Sequence, residues 1–126
     1  MKRLLLLLFM IFLLGGCGAE TDKSKSYFKT IKEKIGKEAM VLEIGASSCK
    51  TCIEMKKTID ALKLNNPNLP IHIIDVYDDM SVFSYFKIQM IPTQVVINEK
   101  GQEVYRHIGG LSGEEMLKLV ELSKKY

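Results

Sequence analysis

Apolar positions along the chain change period several times, and each change marks an element. Leu4 to Leu14 is almost unbroken Leu, Ile, Phe and Met behind Met1-Lys2-Arg3, whereas Gly18 to Lys25 is small and polar with nothing to bury. Tyr27, Phe28, Ile31 and Ile35 then recur at helical spacing, which predicts an amphipathic helix over residues 26–38 that ends near Gly36. Ala39 to Gly45 is a continuous apolar strand broken by one carboxylate, Glu43. Cys52, Met55, Ile59 and Leu62 form an inward stripe on a helix from Lys50 to Leu64, which Asn65 to Pro70 brings to an end. Ile71 to Val76 is the next strand. Val82, Phe83 and Phe86 give an apolar face to a short helix over Asp78 to Lys87. Ile91-Pro92-Thr93 opens a strand through Ile97, and Asn98 to Gly101 turns it into Glu103 to Ile108. Ser112-Gly-Glu-Glu115 reads as a capping box, with Met116, Leu119 and Val120 docking the last helix.

The N-terminal run is too short for a spanning helix of about 20 residues, and its two leading cations fit an export signal. Leu14-Gly15-Gly16-Cys17 resembles the lipobox of bacterial lipoproteins, in which the Cys is lipidated and becomes the mature N-terminus. That resemblance implies a lipoprotein signal peptide over residues 1–16 and a lipidated Cys17. Residues 17–25 then form a flexible tether of roughly 25 Å reach, and residues 26–126 one domain. The expected location is the cell envelope, anchored to the lipid membrane through Cys17 and facing away from the cytoplasm; two or more acyl chains hold where one is marginal. Lys2 and Arg3 account for two of the three net positive charges. The rest of the chain is near neutral without a basic cluster, which gives no footprint for nucleic acid.

Cys49 and Cys52 stand two residues apart at the start of a helix. There they can form a disulfide, and the positive helix end favours ionisation of the first thiol below its free pKa of about 8.5. Lys50 adds a positive charge in the same direction. Outside the cytoplasm a disulfide persists, which favours a redox pair. The competing reading is half a metal site, with Cys49 and Cys52 joined by His72 or His107; those histidines show no ligand spacing and lie on strands, so no metal is expected. Glu43 also has two readings. Either it lies on an edge strand facing water, or it is a buried proton acceptor behind the thiols with a raised pKa. Its nearness to the Cys pair favours the second.

From Glu43 to Cys52 the chain resembles the thioredoxin family, in which an acid six residues before the first active-site Cys lies under the second one. Glu43 stands where that family usually has Asp. Ser48 replaces the usual Trp, and Lys50-Thr51 the common Gly-Pro; the resemblance makes Ser48, Lys50 and Thr51 tuning positions for potential and partner choice. It also implies a cis-proline at Pro92, facing the Cys pair 40 residues after Cys52. Ile91 before it offers backbone hydrogen bonds to substrate. Gly109, of Gly109-Gly110, matches a family glycine beside the substrate groove.

The likeness extends over residues 26–126, without the first strand of the larger family. An α/β, thioredoxin-like fold follows, with a four-stranded mixed sheet in the order 71–76, 40–45, 94–98, 103–108 and helices on both faces. The first two strands are expected to be parallel, joined by a right-handed crossover helix. The implied function is thiol–disulfide exchange, most of all reduction of protein disulfides. Cys49 attacks, Cys52 resolves, and Glu43 exchanges the proton of Cys52. No cofactor is implied. The implied partners are protein disulfide substrates and a membrane thiol or electron-transfer protein acting as reductant. A disulfide oxidase or isomerase, a metal-binding lipoprotein of this fold and a purely structural lipoprotein are the alternatives.

Overall fold

The computed structural model describes residues 26–126. The expected signal peptide, lipidated Cys17 and tether lie outside the described residues, and among those described no helix is long and apolar enough to cross a membrane. Among the described residues four helices and four strands follow one another: α1 (Tyr27–Lys34), β1 (Met40–Gly45), α2 (Lys50–Asn65), β2 (Ile71–Asp75), α3 (Ser81–Tyr85), β3 (Thr93–Ile97), β4 (Glu103–Ile108) and α4 (Gly113–Lys125).

The strands form one sheet in the order β2-β1-β3-β4. β1 pairs in parallel with β2 across the α2 crossover, and antiparallel with β3, which forms a hairpin with β4. This is the order and the mixture of directions that the sequence predicts. All six residues of β1 are buried, because it is interior to the sheet and both its faces are covered. Met40, Leu42 and Ile44 face a cluster that includes Phe28 and Ile31 of α1 and Val82 of α3. Val41 faces the other way, onto Met55 and Ile59 of α2 and Met116, Leu119 and Val120 of α4.

Three boundaries shift inward from their predicted positions. α1 stops at Lys34, with Ile35 as its C-cap and Gly36 taking a φ of 82° in the exit turn. Tyr27 is exposed, and its hydroxyl lies 2.7 Å from His72 Nδ1 on β2. In α2, Leu62 is only partly buried, although it packs on the same cluster as the rest of its stripe. α3 is half the predicted length. Asp79 holds the Ser81 amide at its start, and at its end Lys87 turns to a φ of 53° while Arg106 of β4 donates to the Phe86 carbonyl at 2.7 Å. That clamp comes from a strand twenty residues away, which no local pattern announces.

Candidate active site

The loop ends that carry the chemistry share one end of the sheet. Gly45 closes β1, Thr93 opens β3 and Ile108 closes β4; Ile44 pairs with Thr93, and Thr93 with Ile108. The residues just beyond these ends are Cys49, Pro92 and Gly109. Asp75, at the same end of β2, pins the loop after β1: its carboxylate accepts from the Ser47 amide at 3.0 Å and from the Tyr77 amide at 2.9 Å. Ser48 Oγ and Tyr77 Oη lie 2.9 Å apart, so Tyr77 holds an aromatic ring against the residue that precedes Cys49.

Cys49 is the N-cap of α2 and is joined to Cys52 by a disulfide, with 5.2 Å between the Cα atoms. The Cys52 amide points at Cys49 Sγ from 3.3 Å. In the reduced protein this N–H, at the positive end of a sixteen-residue helix, faces whatever charge Cys49 carries. Cys49 is partly exposed and Cys52 buried, so the first sulfur is the one a macromolecule reaches. Gly45 makes room behind them: a methyl group there would stand 3.0 Å from both Cβ and Sγ of Cys52. Ser48, Lys50 and Thr51 are exposed around the pair.

Glu43 is 1% exposed on an interior strand, so the edge-strand reading fails and the buried one stands. It shares with Cys52 a cleft of about 310 Å³, also lined by Gly45, Ile53, Lys56 and Asp75. Loss of water raises its pKa to about 7, against the smaller opposing effect of a hydrogen bond from Gln94. That bond, Gln94 Nε2 to Glu43 Oε2, is 2.7 Å long.

The Ile91–Pro92 peptide is cis. Ile91 packs against the same apolar cluster as Cys49, and the Pro92 carbonyl accepts from the Gly109 amide at 2.9 Å. Gly109 takes a φ of 107°, and that backbone conformation is what requires glycine there; among the described residues a side chain would meet only His107, at 3.9 Å. The tight approach belongs to its neighbour. A methyl group on Gly110 would stand 3.2 Å from Thr51 Cγ2.

Of the two histidines, His72 contacts Tyr27 on an edge strand, and burial lowers its pKa. His107 lies opposite Gln94 on β4. Among the described residues no group of three or more His, Cys, Asp or Glu side chains is arranged to hold a metal ion. Sequence reasoning missed Gln94, Asp75, Tyr77 and Gly110. Gln94 left a trace, a polar residue within an apolar run, but its meaning depends on the register that sets it opposite Glu43.

A family model for the thioredoxin-like domain matches residues 25–124. The chain belongs to this family. The thioredoxin-like protein CXXS1 of Oryza sativa subsp. japonica is 32% identical over 84 residues, 67% of this chain and 62% of that protein; the chain thus spans less than two thirds of this relative's length. The fold is also that of solved thioredoxins. The Malassezia sympodialis protein (Mala s 13) matches with a TM-score of 0.64 and 17% identity, over 79% of this chain and 88% of that one. Fasciola hepatica thioredoxin matches with a TM-score of 0.62 and 24% identity, over 77% and 90%. This member of the thioredoxin-like family carries a Cys-x-x-Cys pair at bonding distance, with Glu for its buried acid and Gln94 as that acid's partner.

Proposed function

We propose that the chain is a lipid-anchored thiol–disulfide oxidoreductase of the cell envelope, working chiefly as a reductant of protein disulfides. The observation that carries this is the joint placement of a capped Cys49 sulfur, a buried Cys52 and a carboxyl near neutrality in one cleft. The Cys49 thiolate attacks a substrate disulfide, forming a mixed disulfide and expelling one substrate thiolate. Cys52 gives its proton to Glu43 and attacks Cys49 Sγ. The second substrate sulfur leaves, two electrons have passed to the substrate, and Cys49–Cys52 is closed. The backbone at Ile91 and Pro92 holds the substrate strand, and the bare Gly109 leaves it space. A membrane thiol protein restores the reduced pair, and Cys17 keeps the domain beside it.

The Cys52 amide on Cys49 Sγ favours the reduced form, and therefore the opposite direction, oxidation or isomerisation of substrates. Equilibration of the purified chain against dithiothreitol or glutathione, with thiol tagging, separates the two. A potential below about −250 mV is the expected result, and one above about −180 mV would make the chain an oxidase or isomerase. A pair that never closes would remove both readings.

A further inference from the structure

Gln94 is fully buried, and its amide nitrogen serves two partners at once. One is Glu43 Oε2 at 2.7 Å, the other the Gly109 carbonyl at 3.0 Å. The two N–H bonds of one amide are thus divided between the buried acid and the backbone of the loop after β4. Glu43 Oε1 and Gln94 Oε1 are buried with no hydrogen-bond partner among the described residues.

This arrangement suits only an ionised Glu43. A carboxylate accepts and cannot donate, so the amide must present its nitrogen. A proton on Oε2 would confront that N–H with an O–H, and a proton on Oε1 would be a buried donor without a partner, which is costly. Turning the amide over relieves the clash, because Gln94 Oε1 then accepts from the acid. The turned amide, however, sets an oxygen against the Gly109 carbonyl and that bond is lost. Gly109 is no idle end of the chain. Its amide holds the Pro92 carbonyl, and Gly110 lies against Thr51 of the Cys-x-x-Cys segment.

We propose that Gln94 is a positioning residue that couples the proton on Glu43 to the backbone at Gly109: ionised Glu43 holds the loop through the amide, and protonated Glu43 lets it go. The inference rests on the redox reading for its purpose. There, the proton reaches Glu43 as Cys52 attacks, so the grip on the substrate strand loosens in the step that frees the substrate. Other charges face the same region: Lys56 from α2, Asp75 and Asp78 from the end of β2, and His107 across from Gln94 on β4. A test must therefore separate Glu43 from each of them.

The separation is available by nuclear magnetic resonance on the oxidised full-length chain. The Glu43 carboxyl carbon reports the proton, and the amide nitrogen of Gly110, in the same peptide group as the Gly109 carbonyl, reports the loop. In the wild type both are expected to titrate with one midpoint. In Gln94→Met the Glu43 midpoint is expected to rise, leaving the acid about tenfold more protonated at a given pH, while Gly110 no longer responds. In Glu43→Gln, Gly110 is expected to be flat. A flat Gly110 in the wild type overturns the coupling, as does a Gly110 that still titrates in Glu43→Gln. Those two proteins decide whether the acid and the loop are coupled; Gln94→Met, or Gln94→Leu should that variant not fold, decides the route, and a Gly110 that still titrates there removes Gln94 from it. The titration needs no turnover: a chain that shows the coupling yet exchanges no disulfides would sustain the coupling and remove the redox reading alone.

Discussion

At Glu43 two physical effects oppose each other, and their balance is measurable. Removal from water favours the neutral acid, the Gln94 bond favours the anion, and the first effect is the larger. Because the folded pKa of about 7 exceeds the ordinary 4.5, the folded protein binds this proton more tightly than the unfolded chain. The associated stability is complete below the unfolded value and is lost as pH rises from there through the folded one. Glu43→Gln lacks the ionisation and keeps an acceptor for Gln94. In its oxidised form it is expected to be more stable than the wild type by about 1–3 kcal/mol near pH 8, the gap closing toward pH 4.5; denaturant unfolding at the two pH values checks both the sign and the window. Glu43 was legible in the sequence, since a carboxylate in an apolar run is anomalous wherever the strand lies. Gln94 was not. A lone amide in a strand reads as a side chain turned to water until the pairing of β1 with β3 sets it opposite the acid.

Elements were legible in proportion to how locally they are determined. α2 and α4 keep their periodicity and carry their own caps, so their limits fall close to prediction. The capping box of α4 is complete. Ser112 Oγ accepts from the Glu115 amide, and the Glu115 carboxylate accepts from the Ser112 amide at 2.8 Å, which holds that carboxyl below its usual pKa. Ser112→Ala is expected to lower stability by about 1 kcal/mol, seen as an earlier denaturant midpoint with an unchanged slope. α3 shows the converse. Its apolar spacing continues past Tyr85, but Arg106 takes the Phe86 carbonyl that another helical turn would have used. Arg106 is itself held by Glu103, at 2.7 Å, on the same strand.

Over the whole molecule, the strand order was the most readable feature and the site's supporting contacts the least. Strand order follows from the sequence of elements, the crossover over α2 and the tight hairpin after β3, aided by the resemblance carried by Glu43, Cys49, Cys52 and Pro92. The supports at Asp75, Tyr77 and Gly110 join segments far apart in the chain, so nothing next to them in sequence signals their use. The attachment to lipid is a proposal at this scale. Cys17→Ser is expected to move the protein from the membrane fraction to the soluble one, or to leave it unprocessed with its leader, while its Cys49–Cys52 pair still exchanges; fractionation and intact mass read both. A protein that stays membrane-bound and fully processed would remove Cys17 from that role.

The bond between Cys49 and Cys52 closes a ring only three residues apart in sequence. Loop-closure entropy grows with the length enclosed, so as a cross-link on the unfolded chain it is worth only about 2 kcal/mol, the small end of the range. The two apolar clusters, with all the sheet pairings between them, lie outside that ring. Opening the bond therefore subtracts little from the folding equilibrium. The pair can therefore open on taking up two electrons and close on giving them away while the fold stays intact, because the architecture does not depend on the bond as a staple.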